Sequence, residues 1–290
     1  MTGALGCLGA WTVVTLAREG ARVVALDLGS DHRRLRLIAA PDELEAVTFV
    51  QGDITERKTV THALAEHEIT HVVHLAALQV PFCKADPVLG SQVNVTGTVN
   101  VFEAAKQHRL ASPVAYASSA AVYDEHGAIA PRTLYGIYKL ANEGTARVYW
   151  QDDQVASIGL RPFSVYGPGR DQGLTAGPTL AIDAAVRGQP YRIGFGGRTQ
   201  LHYAADVARA FVQAARSERE GAHTFNLDGP ATAIADFVTA VEAEIPGAKI
   251  AFDEVPLPFP DELPAPRFGS PLTPLEEGIR ETAEILRSVI

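Results

Sequence analysis

The chain has 290 residues, 47% hydrophobic and 20% charged, enough to bury a full core as one large α/β unit or a main domain with a smaller lobe. A net charge of -9 argues against nucleic acid as a partner, since phosphate binding wants a basic face, and no basic run, zinc-ligand spacing or RNA-binding aromatic motif offsets it. No apolar stretch of about 18 residues and no signal-peptide pattern is present, so the reading is a cytoplasmic protein with no membrane contact. Cys7 and Cys83 are far apart and read as reduced, small apolar fillers.

In chain order, Gly3, Gly6 and Gly9 open the sequence within MTGALGCLGAW. AWTVVTLAREG then has a helical apolar face closed by Gly20. ARVVALD reads as a buried strand ending at Asp27, and AVTFVQGD as a second ending at Asp53. A helix through TVTHALAEH leads to the strand HVVHLAA and the long helix VNVTGTVNVFEAAKQHRL. SPVAYASSAAVY is a strand entering a polar turn, LYGIYKLANEGTARVYWQD a helix, and VASIGLRPFSVYG one strand. Helices follow in TLAIDAAVRG, DVARAFVQAARS and IADFVTAVEAEI. The Pro-dense FDEVPLPFPDELPAPRFGSP predicts loops and short edge strands on the substrate side. A last helix, TPLEEGIRETAEILRSV, has Pro274 near its start and Glu276–Glu277 in its first turn. Strands alternating with helices predict a mostly parallel sheet covered on both faces.

The glycines suit a phosphate-binding turn whose backbone approaches a pyrophosphate at a helix N-terminus. Asp27, at the end of the next strand, is where adenine ribose hydroxyls need an acceptor. It would repel a 2′-phosphate, which favours NAD over NADP, although Arg33 and Arg34 stand near enough to neutralise such a phosphate. Asp53 can accept from the adenine amino group with Ile54 against the ring, and Leu75, Ala76 and Ala77 leave room for the cofactor.

Tyr135 and Lys139 are four apart in a helix and share one face. An ammonium beside a phenol favours phenolate, so the spacing predicts a lowered phenol pKa and a base able to take an alcohol proton. The lysine can also hold the nicotinamide ribose. Ser119, ending the preceding strand, can hydrogen-bond the reacting oxygen. Tyr138 reads as packing, and Tyr123 as either closing over the substrate or cofactor or packing in the core. His74 reads as a core histidine, and His126, His202 and His223 make no metal set. No G-x-S-x-G elbow surrounds Ser118 or Ser119, which excludes a serine hydrolase of that type.

Together TGALGCLG, Asp27, GDI, HLAA, the Asn94-bearing VNVTGTVNVFEAA, SSAAVY, YGIYK, LRPFSVYGPG and HYAADVARAF resemble the extended short-chain dehydrogenase/reductase superfamily, in its NAD-dependent sugar epimerase/dehydratase branch. The likeness covers nearly the whole chain. It implies an α/β fold with a Rossmann-type doubly wound parallel sheet and a small C-terminal substrate-binding lobe. Residues 1–161 would form the NAD-binding domain and 162–290 mainly the substrate lobe, with segments at about 198–228 returning to the main domain. Ser119, Tyr135 and Lys139 would be catalytic, hydride passing from a substrate carbinol carbon to nicotinamide C4. The cofactor set would be Gly3, Gly6, Cys7, Leu8, Gly9, Asp27, Asp53, Ile54, Leu75, Ala76, Ala77, Asn94, Tyr135, Lys139, Pro162 and Val165. Gln79, Ser119, Tyr135, Ser164, Arg170 and Arg198 would face the substrate, with no metal. Asn94 would tie its helix to the active-site strand, and the helices carrying Asn94 and Tyr135 would build a homodimer interface.

Departures from the branch narrow the chemistry. Dehydratases carry Thr-Asp-Glu where this chain has Ser119-Ala120-Ala121, so the acid/base pair that removes water is absent. Nucleotide-sugar epimerases carry an Asn where Ser164 stands, and their late arginine is displaced to Arg198. A small polyhydroxylated substrate without a nucleotide diphosphate, oxidised by a dehydrogenase, is therefore the leading reading. The alternatives are a sugar or nucleotide-sugar epimerase and a non-catalytic NAD-binding module. One further expectation concerns the start. The first strand of this fold is central, between ARVVALD and HVVHLAA, yet two residues precede the glycines, predicting a truncated start or another segment in that place.

Overall fold

The computed structural model describes residues 1–290. Its main sheet is parallel, and its central strands are short and buried on both faces, which is why they read as apolar runs rather than alternation. β1 (Val24–Asp27) pairs with β2 (Thr48–Gln51). β3 (Val72–His74), β4 (Val114–Ala117), β5 (Ser157–Arg161) and β9 (Ala222–Leu227) follow side by side, and β12 (Arg267–Phe268) closes the far edge. Thr2 bridges Leu26 on one side and His74 on the other, joining the two groups of strands. Leu26 N–H donates to the Met1 carbonyl (2.8 Å), and Thr2 N–H to the Val73 carbonyl (3.0 Å). Below this bridge β1 and β3 stand apart around a cavity of about 290 Å³, lined by side chains including Leu16, Val23, Val73 and Val212.

Helices α1 (Cys7–Arg18) and α9 (Ala204–Ala215) pack together on one face of the sheet. On the other lie α3 (Arg57–Glu66), α6 (Gly97–His108) and α7 (Leu134–Asp153). Chain order and right-handed crossovers give the doubly wound arrangement. The helix expected over VNVTGTVNVFEAAKQHRL starts earlier, as α5 (Pro87–Ser91), with Asp86 accepting from Leu89 N–H. It passes through a wide π turn at Gln92–Thr96 before α6, and that turn carries Asn94 inward. The shorter helices α2 (Arg33–Ile38) and α4 (Val80–Ala85) flank the sheet's carboxyl edge.

The single strand expected over VASIGLRPFSVYG is two strands in different sheets. Pro162 has no N–H for the ladder, and Phe163 N–H turns aside to His202 Nδ1 (3.0 Å). β6 (Ser164–Tyr166) then pairs with β8 (Arg198–Tyr203), which pairs antiparallel with β10 (Ala231–Ala233). β7 (Pro190–Ile193) and β11 (Lys249–Phe252) make a second small sheet. α8 (Gly177–Val186), α10 (Ile234–Glu244) and α11 (Leu275–Arg287) complete this half, with Pro274 capping α11. No helix is long and apolar enough to cross a membrane.

Candidate active site

The loop from Thr2 to Gly9 lies over the carboxyl ends of β1 and β3. Gly3 has φ +69°, and a Cβ there would stand 2.5 Å from Ala76 N. A Cβ on Gly9 would collide with the Gly3 carbonyl oxygen. Both positions need glycine for the turn to close on the neighbouring strand and on itself. α1 begins with no side-chain cap and no acid in its first turn, so its leading amides are available to an anion. Asp27 accepts from Leu5 N–H (2.9 Å) and Gly29 N–H (3.0 Å), so it also folds the loop. A carboxylate keeps lone pairs beyond these two for ribose hydroxyls.

Asp27, Asp53, Ile54, Leu75, Ala76 and Ala77 line one cavity of about 410 Å³. It shares Gly3, Gly6, Leu75 and Ala77 with a second cavity of about 220 Å³, lined by Cys7, Leu8, Gly9, Gln79, Ser119, Tyr135, Lys139, Pro162, Val165 and Arg170. The two make one bent groove with open amides at its middle, which suits an extended dinucleotide. Arg34 spends its guanidinium on the carbonyls of Leu5 and Gly169 and on Asp171, and Arg33 faces Asp31 and Asp171. Neither arginine is left to neutralise a 2′-phosphate.

At the second cavity, α7 starts with the Thr133 hydroxyl accepting from Gly136 N–H (3.0 Å). Gly136 lets this first turn approach the Ser119 turn, because a Cβ there would collide with the Ala121 carbonyl oxygen. Ser119 ends the β4 segment, its Oγ accepting from Ala121 N–H (3.1 Å), and its hydroxyl meets the Tyr135 phenol. Lys139 is 4% exposed and donates to the Ala117 carbonyl (2.7 Å), 5.5 Å from the Tyr135 ring centre. Burial pushes this ammonium down to about 8.

The expected lowering of the phenol pKa by Lys139 is corrected here. Burial holds Tyr135 above its ordinary value, opposed by the Ser119 hydrogen bond and then by the charge of Arg170. Lys139 faces the Ala117 carbonyl instead. Burial also pushes the Cys7 thiol up to about 11, which fits an inert filler.

Three expected contacts lie elsewhere. Ser164 is fully buried with its hydroxyl on Thr199 Oγ1 (2.8 Å), outside both cavities. Arg198 is exposed and donates to the Ala231 carbonyl (2.6 Å) at the β8–β10 edge. Asn94 lines neither cavity; its side chain accepts from Leu78 N–H (2.7 Å) and donates to the Leu78 carbonyl (2.9 Å). It ties its helix to the segment after β3, a scaffold role rather than a cofactor contact. His74 lies between Thr2 and Thr98; because Thr98 donates to the Asn94 carbonyl, His74 Nε2–H donates to Thr98 and Nδ1 accepts from Thr2. Tyr138 donates to the Pro87 carbonyl (2.9 Å), a packing contact.

The structure adds residues outside the expected set. Glu143, one turn beyond Lys139, receives a two-pronged pair from Arg161 (2.7 and 2.6 Å) and the Ser118 hydroxyl (2.5 Å). Arg161 also reaches the Tyr123 hydroxyl, which bonds Asn226, so Tyr123 belongs to the core beneath the cleft. The spacing Tyr135, Lys139, Glu143 could have exposed this partner. Thr175, Phe163 and Phe259 also line the cleft, and no local pattern marks them.

The model of the NAD dependent epimerase/dehydratase family matches residues 1–228. A UDP-glucose 4-epimerase of Mycolicibacterium smegmatis is 29% identical over 318 residues, covering 99% of this chain and 98% of that protein. UDP-glucuronate 4-epimerase 6 of Arabidopsis thaliana is 31% identical over 181 residues, covering 58% of this chain. That match takes in 39% of the plant protein's own length. Among solved structures, the UDP-glucose 4-epimerase of Thermus thermophilus in complex with NAD superposes with a TM-score of 0.79 at 27% identity, covering 100% of this chain and 98% of its own. The family match spans both the glycine turn and the Ser119–Tyr135–Lys139 cluster, and the chain belongs to the NAD dependent epimerase/dehydratase family as an NAD-dependent enzyme of the extended short-chain dehydrogenase type.

Proposed function

We propose that this enzyme removes hydride from a secondary alcohol or hemiacetal carbon of a small sugar or sugar acid, with Tyr135 as the base. The observation that carries the reading is the cleft itself. Ser119, Tyr135 and Lys139 meet in a cavity of about 220 Å³, below the roughly 300 Å³ at which ligand sites usually begin, even before a nicotinamide shares it. Ser164 and Arg198, the positions from which a diphosphate could be held, are engaged elsewhere. A diphosphate needs several converging donors.

NAD, when bound, supplies the hydride acceptor. Gly3, Gly6 and the first amides of α1 would hold its pyrophosphate, and Asp27 the adenine ribose. Ser119 hydrogen-bonds the reacting oxygen and steadies it as charge develops. Tyr135 takes the hydroxyl proton once it is ionised, a step that burial opposes and that the Ser119 hydrogen bond and the charge of Arg170 favour. Lys139 keeps donors beyond its bond to Ala117 for the nicotinamide ribose.

The second reading is epimerisation, in which the keto intermediate turns over and regains its hydride. The full-length likeness to a UDP-glucose 4-epimerase favours it. Purified protein with NAD and a panel of aldoses and sugar acids separates the two. Steady NADH absorbance near 340 nm is the result expected; epimer formation without net NADH overturns the dehydrogenase reading.

A homodimer belongs to the same proposal. α7 turns polar Lys139, Asn142 and Glu143 inward and leaves Leu134, Ile137 and Val148 44%, 47% and 51% exposed. Val88 and Leu89 on α5 are exposed beside them. An apolar stripe facing out supports pairing through these helices. Ile137→Glu is expected to convert a dimer to a monomer by light scattering; a monomeric parent protein would sink the idea.

A further inference from the structure

We propose that the substrate carries a carboxylate, held at the wall of the cleft by Arg170 together with Gln79 and Thr175. This rests on the reading of Ser119, Tyr135 and Lys139 as the reaction centre. The first observation is charge. The cleft is lined by Lys139 and Arg170 and by no carboxylate, in a chain with 34 acids against 25 lysines and arginines.

The second is an arginine without a counter-ion. Arg170 donates from Nη2 to the neutral Thr175 hydroxyl (3.2 Å), and its Nε is buried without a partner. The adjacent Asp171 does not serve it. That carboxylate is taken by Arg34 at 2.7 Å and Arg33 at 3.3 Å. A guanidinium has five donors in a planar fork and is costly to withdraw from water unpaired. Most arginines here have an acid within reach; this one faces the cleft instead.

The third is convergence. The Gln79 Oε1 atom is also buried without a partner. A Cβ on Gly173 would collide with Gln79 Oε1 and lie 3.0 Å from Arg170 Nη2, so both side chains close over that glycine. Gly173 has φ +101°, a conformation L side chains rarely adopt. Rotating the Gln79 amide by half a turn presents its NH₂ to an anion without moving the chain.

A planar carboxylate matches this set better than a diphosphate. One fork, one amide and one hydroxyl suit two oxygens in a plane, and the cleft's other cation, Lys139, is turned to the Ala117 carbonyl. The subsite is also separate from the adenine end of the groove, since Gln79, Arg170 and Thr175 do not line that cavity. The first amides of α1 provide for the cofactor's pyrophosphate without it. Arg170 lines the same cavity as Gly6 and Cys7 of the glycine turn and as Tyr135.

The test measures binding without turnover. Tyr135→Phe protein saturated with NAD is titrated by calorimetry with four- to six-carbon aldonates and their matching neutral alditols. At least one aldonate is expected to bind about 100-fold more tightly than its alditol. Adding Arg170→Gln should erase that preference while NAD affinity changes less than about threefold. Gly173→Ala should reduce the preference with the charge intact, which guards against an Arg170 variant that folds poorly. If no aldonate is preferred to its alditol, the carboxylate subsite is refuted. If Arg170→Gln weakens NAD and aldonate in parallel, Arg170 serves the cofactor and the proposal falls. A wild-type enzyme that reduces NAD with neutral sugars alone overturns the carboxylate but leaves the reaction reading intact.

Discussion

The two ends of the cofactor groove are built with opposite charge. The adenine end is lined by Asp27, Asp31 and Asp53, with Arg34 as its one cation, and that guanidinium is spent on carbonyls and on Asp171. The catalytic end is lined by Lys139 and Arg170 and by no acid. They differ in assembly as well. The adenine end comes from residues 3–93, where Asp27 ends β1 and Asp53 lies just past the end of β2. The catalytic end gathers residues from Gly3 to Phe259. On the proposed reading, the first end selects by repelling a phosphate, and the second by pairing an anion with a partly buried arginine. Low effective dielectric makes both effects stronger than in water.

The largest expected effect breaks the catalytic end alone. Tyr135→Phe should lower turnover by about 10³-fold, with NAD affinity changed less than about threefold; steady-state rates and a cofactor titration check both. Unchanged turnover would remove Tyr135 from the chemistry. The next test sharpens the adenine end. Asp27→Ser should weaken NAD by about 10- to 100-fold, the loss of a charged acceptor, and raise the ratio of NADP to NAD affinity. The ratio is the telling quantity, because Asp27 also folds the loop through Leu5 and Gly29. In the same assay Arg33→Ala should move either affinity by less than about twofold, since this exposed arginine already faces acids.

The smallest effect is on stability and has an unusual sign. Burial lowers the Lys139 ammonium from 10.5 to about 8, so below pH 8 the folded state carries a penalty the unfolded state lacks. Between pH 8 and 10.5 the unfolded state holds more protons, and this penalty is relieved as pH rises. Lys139→Met should therefore stabilise the fold by about 1–3 kcal/mol at pH 7 while abolishing activity. Urea unfolding should show the gain shrinking toward pH 10.5. A destabilised variant at pH 7 would mean that the bond to Ala117 outweighs the buried charge.

The legible parts of the site are those written in local spacing. The glycine turn, Asp27 after its strand, and Tyr135 with Lys139 on one helical face all follow from short-range geometry. Glu143 sits at the next equivalent position of that face, and only its pairing with Arg161 across β5 gives it meaning. Ser164 and Arg198 show the converse. Their motif positions point to substrate, but the chain leaves the main sheet at Pro162 and gives them to the Thr199 hydroxyl and the Ala231 carbonyl. The apolar pattern runs unbroken through Pro162 because both flanking strands are buried, so hydrophobicity does not reveal the change of sheet.

By itself the sequence determined the doubly wound α/β fold and the meeting of Ser119, Tyr135 and Lys139 in one cleft, because backbone sterics, strand burial and helical period act over a few residues. Only the tertiary structure decided how Thr2 joins β1 to β3, which arginine lacks an acid, and how small the cleft is. Those depend on segments far apart in the chain packing at one point, where Asp171 turns to Arg33 and Arg34 and leaves Arg170 to the cleft.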